Sequence, residues 1–180
     1  MKETTAKKKF MWNMAGSLCN SLSSMLLLII VNRISGESRG GFFALAYSTA
    51  QLLFSVGGFE IRPVQSTDIK NKFTFNQYFT SRMLNCIIML ICMIGYIVVN
   101  GYTGVEALTV FWILGYRMVE AVADVYSGLF QQRERIDISG KEMLMRSGIS
   151  TITFTIILWL TDNLLYAAMT LTLSCFMIYI

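Results

Sequence analysis

The chain has 180 residues, of which 54% are hydrophobic and 14% are charged, against about 25% charged residues in an ordinary soluble domain. This composition excludes most soluble folds, and a net charge of +4 is too small for disorder, which requires high charge and low hydrophobicity. Because a membrane-spanning helix needs about 20 mostly apolar residues, the length predicts an all-α, polytopic membrane helix bundle of about six helices.

Six apolar runs of suitable length follow one another along the chain. The predicted spans are Phe10 to Val31, Gly41 to Phe59, Met83 to Val99, Val105 to Leu129, Ser147 to Leu160 and Leu164 to Ile180. With the N-terminus inside, nearly all lysines and arginines fall in cytoplasmic segments, and only Arg33 and Arg39 fall in outer loops. The sequence therefore predicts a cytoplasmic N-terminus, whose lysines we interpret as a topology signal and not as a nucleic-acid contact.

The first two spans each carry polar residues on one helix face. These residues are Asn13, Ser17, Asn20 and Ser24 in the first span, and Ser48, Gln51, Ser55 and Gly58 in the second. Small and hydroxylated residues pack membrane helices together, so either stripe alone is compatible with simple packing. The third span is almost entirely apolar, and we expect it to face lipid and to support the bundle from outside.

The fourth span carries a polar stripe along its whole length. At about 100° per residue, one face about 100° wide holds Glu106, Thr109, Tyr116, Arg117, Glu120, Asp124, Ser127 and Gln131. The spacing predicts that Arg117 pairs with Glu120, with Asp124 beside it. Two interpretations stay open: an ion pair that locks helices together, or the wall of a water-filled cavity used by a polar substrate or a proton. With the stripes of the first two spans, the pattern favours a polar cleft between helices one, two and four.

The outer connections after the third and fifth spans are short, which predicts antiparallel helix hairpins. The cytoplasmic link from Gln131 to Arg146 mixes charged and apolar residues and has the pattern of an amphipathic helix on the membrane surface. Within it, Arg133, Arg135 and Arg146 are expected to meet anionic lipid headgroups.

Catalytic residues are scarce in this sequence. Histidine is absent, and the four cysteines lie inside apolar runs without a C-x-x-C pair. We therefore predict that the chain is not an enzyme and uses no cofactor or metal.

Two segments resemble the bacterial polysaccharide biosynthesis flippases, which export O-antigen and capsule repeats and belong to the multidrug/oligosaccharidyl-lipid/polysaccharide exporter superfamily. The first is YRMVEAVADVYSGLFQQ at 116–132, followed by RERID at 133–137 and GKEMLMR at 140–146. The second is GFFALAY at 41–47, followed by FEIRP at 59–63. They are similar to the family's fourth helix with its cytoplasmic loop, and to its second helix with its exit.

The resemblance implies a transporter of two six-helix bundles that enclose a cleft and work by alternating access. Residues 1–180 would be the N-terminal bundle, and we expect a C-terminal half or a second bundle to complete it. The resemblance places Arg117, Glu120 and Asp124 in the cleft, and Arg62 with Glu60 at its cytoplasmic mouth, where Arg62 serves either substrate entry or topology. Gln131, Asn20 and Gln51 complete the predicted substrate-binding set.

The function implied is translocation of an undecaprenyl-diphosphate-linked oligosaccharide across the bacterial cytoplasmic membrane, for O-antigen, capsule or exopolysaccharide synthesis. Its expected partners are this lipid-linked oligosaccharide, membrane lipids and a coupling proton or sodium ion. Two alternatives remain. One is a cation-coupled multidrug exporter of the same superfamily, and the other is a non-transporting membrane assembly subunit.

Overall fold

A computed structural model of the chain describes residues 2–58, 61–68 and 72–179, with side chains for 6–55, 61–68 and 72–178. All regular elements in these ranges are α-helices, which confirms the predicted all-α bundle. The helices are α1 (Lys2–Gly58), α2 (Ile61–Thr67), α3 (Phe75–Val99), α4 (Gly104–Gln132), α5 (Ile136–Thr161) and α6 (Leu164–Tyr179).

The first two predicted spans are the two arms of α1, which is kinked at Gly36. This residue has φ 83° and ψ 172°, a backbone conformation that glycine adopts without a steric penalty. The second arm folds back against the first, since the hydroxyl of Tyr47 donates to Ser24 Oγ at 3.0 Å. The kink therefore turns one long apolar helix into two packed ones.

The two predicted hairpins are present, because only short turns separate α3 from α4 and α5 from α6. The predicted surface helix from Gln131 to Arg146 is wrong. Its first two residues end α4, and after a short turn the segment is the first part of α5, which begins at Ile136 and not at Ser147. Two charges of this segment are paired in the bundle, as Arg146 bonds Glu142 and Glu120, and the helix continues through them.

α4 is the central helix and packs on every other helix of the described bundle. Its Ile113 and Leu114 are fully buried together with Phe43 of α1, Phe154 of α5 and Leu171 of α6. α1 and α5 come closest where two glycines meet. A Cβ added to Gly140 would lie only 2.4 Å from the carbonyl oxygen of Trp12, and one added to Gly16 only 2.3 Å from the carbonyl oxygen of Gly140. Small residues allow such close approach between membrane helices.

Three of the described helical stretches are long and apolar enough to cross a membrane: Ala6–Ser55, Phe75–Val99 and Ile136–Thr161. A shorter apolar stretch covers Leu164–Ile178. A straight helix of 50 residues would measure about 75 Å, more than twice the hydrocarbon core of a bilayer, so the first stretch has length for two crossings. The six-span count and the side of the membrane remain predictions.

Two of the lysines that predict a cytoplasmic face, Lys9 and Lys141, lie at the end of the bundle where α1 begins. Lys9 donates to the carbonyl oxygen of Glu134 at 2.8 Å, which joins the start of α1 to the turn after α4. Lys141 lies 5.3 Å from the ring centroid of Trp12. At the other end, Arg39 pairs with Asp162 at 3.1 Å.

Candidate functional site

A polar cleft of about 550 Å³ opens between the two arms of α1, α2, α4 and α5. It is lined by Asn20, Ser21, Ser24, Tyr47, Ser48, Gln51, Phe54, Arg62, Arg117, Glu120, Asp124, Ser127, Met143 and Arg146. Twelve of these fourteen side chains carry a charge, a hydroxyl or an amide, although the surrounding helices are apolar. Such a concentration of polar groups in a membrane-type bundle costs free energy unless the groups pair with one another or bind a polar ligand.

The deepest part of the cleft is an ion-pair network around Glu120. Its side chain is 4% exposed, and its carboxylate bonds Arg117 on the same helix. Arg146 of α5 donates to the same carboxylate at 2.9 Å and to Glu142 at 2.7 Å. The hydroxyl of Tyr116 donates to Glu120 at 3.3 Å. The predicted pair of Arg117 and Glu120 is present, and Arg146 extends it from one helix to two.

A second ion-pair network surrounds Asp124, one helical turn further along α4. Arg62 of α2 donates from Nη1 to Oδ1 at 3.1 Å, and Arg82 of α3 donates from Nη2 to Oδ2 at 2.8 Å. This carboxylate therefore joins three helices. Across both networks four guanidinium groups face three carboxylates, which leaves an excess of one positive charge.

Arg117 is held differently from the other arginines. Its side chain is 3% exposed, and its guanidinium carbon lies 4.4 Å from the ring centroid of Tyr47 and 5.2 Å from that of Tyr116. Its Nε and Nη2 have no hydrogen-bond partner among the described residues. A buried donor left unsatisfied costs about 1–3 kcal/mol. The guanidinium is therefore held by two aromatic rings and one carboxylate, and two of its donors have no partner among the described residues.

The two arms of α1 contribute a neutral polar wall. Asn20, Ser21 and Ser24 come from the first arm, and Ser48 and Gln51 from the second. The Oδ1 atom of Asn20 is buried without a hydrogen-bond partner among the described residues. Hydroxyl and amide groups of this kind both donate and accept hydrogen bonds, whereas guanidinium groups only donate.

Six of the eight predicted site residues line this one cleft: Asn20, Gln51, Arg62, Arg117, Glu120 and Asp124. Gln131 does not reach it, since it is exposed in the last turn of α4. Glu60 lies outside the described residues.

Two arginines that fall in predicted cytoplasmic segments belong to the ion-pair networks. Arg146 is 3% exposed and bonds Glu120, so the expectation that it meets lipid headgroups is wrong. Arg82 is 1% exposed and bonds Asp124, so α3 does more than support the bundle from outside. A helical wheel drawn through α5 would have pointed to Arg146, because Ser139, Glu142 and Ser150 share its face. No comparable pattern distinguishes Arg82.

Asp68, which follows α2 and lies outside the spans, holds the start of the next described stretch. Its carboxylate accepts the backbone N–H of Lys72 at 2.9 Å and that of Phe73 at 3.0 Å. The hydroxyl of Tyr78 donates to it at 3.0 Å. The two backbone hydrogen bonds above all, with a smaller effect of the hydroxyl, hold the pKa of Asp68 below its usual value.

The chain is similar in sequence to a protein named for polysaccharide biosynthesis. The chain is 24% identical over 170 residues to the "Capsular polysaccharide biosynthesis protein CapF" of Staphylococcus aureus. The match covers 93% of this chain and 41% of CapF, so the chain spans about two fifths of the length of that relative. No family model matches the chain, and no solved structure matches it.

Proposed function

We propose that this chain forms one bundle of a flippase that carries an undecaprenyl-diphosphate-linked oligosaccharide across the cytoplasmic membrane, without covalent chemistry. The observation that carries the proposal is the arginine-rich cleft enclosed by apolar helices. A lipid-linked sugar has an apolar tail, which can stay in the bilayer, and a charged, hydrated headgroup, which must be sheltered from hydrocarbon. A polar cleft within a membrane bundle provides that shelter.

The charge of the cleft favours an anionic headgroup. Glu120 and Asp124 each accept hydrogen bonds from two arginines, so a cationic ligand would first have to displace a guanidinium. Arg117, by contrast, offers two donors without partners among the described residues. Guanidinium groups bind phosphate oxygens through charge-assisted hydrogen bonds, which are about twice as strong as neutral ones. A diphosphate would satisfy the donors of Arg117.

The neutral wall suits the sugar end of the same molecule. Serine hydroxyls and the amides of Asn20 and Gln51 match the mixed donors and acceptors of a carbohydrate. A cleft with cations on one side and neutral polar groups on the other could hold both parts of the headgroup at once. The similarity to a protein named for capsular polysaccharide biosynthesis fits this role. In the proposed mechanism a second bundle closes the cleft and alternating access moves the headgroup, with a proton or a sodium ion as the coupling ion.

A complementation experiment tests the proposal. Arg117→Ala and Arg117→Lys are introduced into the full-length gene, and surface polysaccharide is measured against membrane levels of the protein. Arg33→Ala is the matched control, because Arg33 is exposed and does not line the cleft. We expect Arg117→Ala to abolish surface polysaccharide at a normal protein level, and Arg117→Lys to retain part of it because the charge stays.

The same strains separate the alternatives. Normal polysaccharide in Arg117→Ala cells would reject the proposal. A change in resistance to cationic drugs, with polysaccharide unaffected, would favour the multidrug exporter. A stable crosslinked partner, together with no transfer between leaflets after reconstitution, would favour the assembly subunit.

A further inference from the structure

Asp124 is shared by two arginines that differ in their access to the cleft. Arg62 bonds Oδ1 at 3.1 Å, is 27% exposed and lines the cleft. Arg82 bonds Oδ2 at 2.8 Å, is 1% exposed and is not among the lining residues. The Asp124 side chain itself is 21% exposed. One carboxylate therefore connects a buried arginine of α3 to an accessible arginine of α2.

This sharing affects how easily Arg62 can leave Asp124. A carboxylate in a region of low dielectric is costly without a counter-ion. If Arg62 were its sole cation, an anionic ligand that drew the Arg62 guanidinium away would leave Asp124 unpaired. With Arg82 on the second oxygen, the negative charge stays compensated when Arg62 moves. The buried arginine thus determines whether the accessible one is available.

We propose that Arg82 is a positioning residue for the headgroup site: it neutralises Asp124 and thereby frees Arg62 to bind a phosphate group. The inference rests on the proposed function and concerns how its site is made available. It also assigns a role to α3, which lies outside the cleft. Arg82 acts through Asp124 and does not touch the ligand.

Binding of farnesyl diphosphate to the full-length protein in lipid nanodiscs tests the inference. Arg82→Gln keeps an N–H donor, on a shorter side chain, and removes the charge. We expect it to lower the affinity about tenfold or more, since Arg62 must then stay on Asp124. Arg82→Lys keeps the charge and should retain most of the affinity. Arg39→Gln removes an arginine from an exposed pair with Asp162 and is the matched control.

A double-mutant cycle separates positioning from a general loss of structure. In a protein that already carries Asp124→Asn, adding Arg82→Gln should change the affinity by less than about twofold, because the carboxylate of Asp124 no longer competes for Arg62. The double variant leaves no buried charge unpaired at this bridge, because the remaining cation, Arg62, is 27% exposed, so it remains informative if Arg82→Gln alone folds poorly.

The affinities of these variants and of the unmodified protein decide whether Arg82 positions Arg62. An equal loss of affinity on Arg82→Gln with and without Asp124 would overturn the positioning role and leave the proposed function standing. A loss on Arg82→Lys as large as that on Arg82→Gln would also overturn it. If the unmodified protein binds no farnesyl diphosphate, the proposed function fails and the inference fails with it.

Discussion

Replacing Glu120 with glutamine removes the carboxylate that two buried arginines share. The side chains of Glu120, Arg117 and Arg146 are each 3% or 4% exposed, so water does not screen the loss. Removing one partner of a buried pair costs about 3–5 kcal/mol, because the remaining charge is left uncompensated. Glu142 still holds Arg146 through Nε, while Arg117 has no other carboxylate among its described partners. We therefore expect Glu120→Gln to lower the free energy of unfolding by about 3 kcal/mol or more.

The assay is unfolding of the full-length protein in detergent–lipid micelles, followed by tryptophan fluorescence. Glu106→Gln is the matched control, because Glu106 is an exposed residue on the same helix, and we expect its effect to stay within about 0.5 kcal/mol. Combining Glu120→Gln with Arg146→Gln should cost less than the sum of the single changes, since both remove the same contact. Equal stability of Glu120→Gln and Glu106→Gln would refute the view that the cleft is built on a buried ion-pair network.

Two further predictions concern the fold and the segment after α2. Gly140→Ala should destabilise the protein by about 1–3 kcal/mol in the same assay because its Cβ would clash with the α1 backbone, whereas Gly95→Ala, with open space around it, should be neutral or slightly stabilising. Asp68 has a lowered pKa when folded, so its contribution to stability is present above its unfolded pKa and is lost as the pH falls through the folded value. At pH 7, Asp68→Asn should therefore speed proteolysis near Lys72, and unchanged cleavage would contradict this.

The helical architecture was predictable because it depends on composition and on local turns. The apolar runs located most helix bodies, and the short sequences near Asn100 and Asp162 predicted the two hairpins. The sequence predicted two spans joined by a loop, whereas the structure has one helix with a kink at Gly36. Hydropathy shows where the apolar residues stop, but it does not show how the backbone continues. The early start of α5 was missed because its charged residues are typical of an exposed link. Their partners on neighbouring turns and on α4 cannot be read from the sequence.

The sequence predicted the part of the candidate site that lies on α4. The wheel of α4 grouped Arg117, Glu120 and Asp124 because residues three and four apart share a face. Arg82 and Arg146 were missed because the carboxylates that they bond in the ion-pair networks lie on α4, 42 and 26 positions away along the chain, although Glu142, which also bonds Arg146, shares its helix. A lone arginine near the end of an apolar run has the same sequence pattern whether it meets lipid headgroups or a buried carboxylate. Packing between helices decides between these two roles.

Translocation itself is the central claim, and transfer of a lipid between leaflets tests it most directly. The full-length protein is reconstituted into vesicles that carry a fluorescent, diphosphate-linked sugar lipid, and the fraction accessible to an impermeant quencher is followed with time. Our account predicts that the protein exposes the inner-leaflet probe faster than empty vesicles do, and that Arg117→Ala abolishes the acceleration. Transfer no faster than in empty vesicles, or equal transfer by Arg117→Ala, would contradict it.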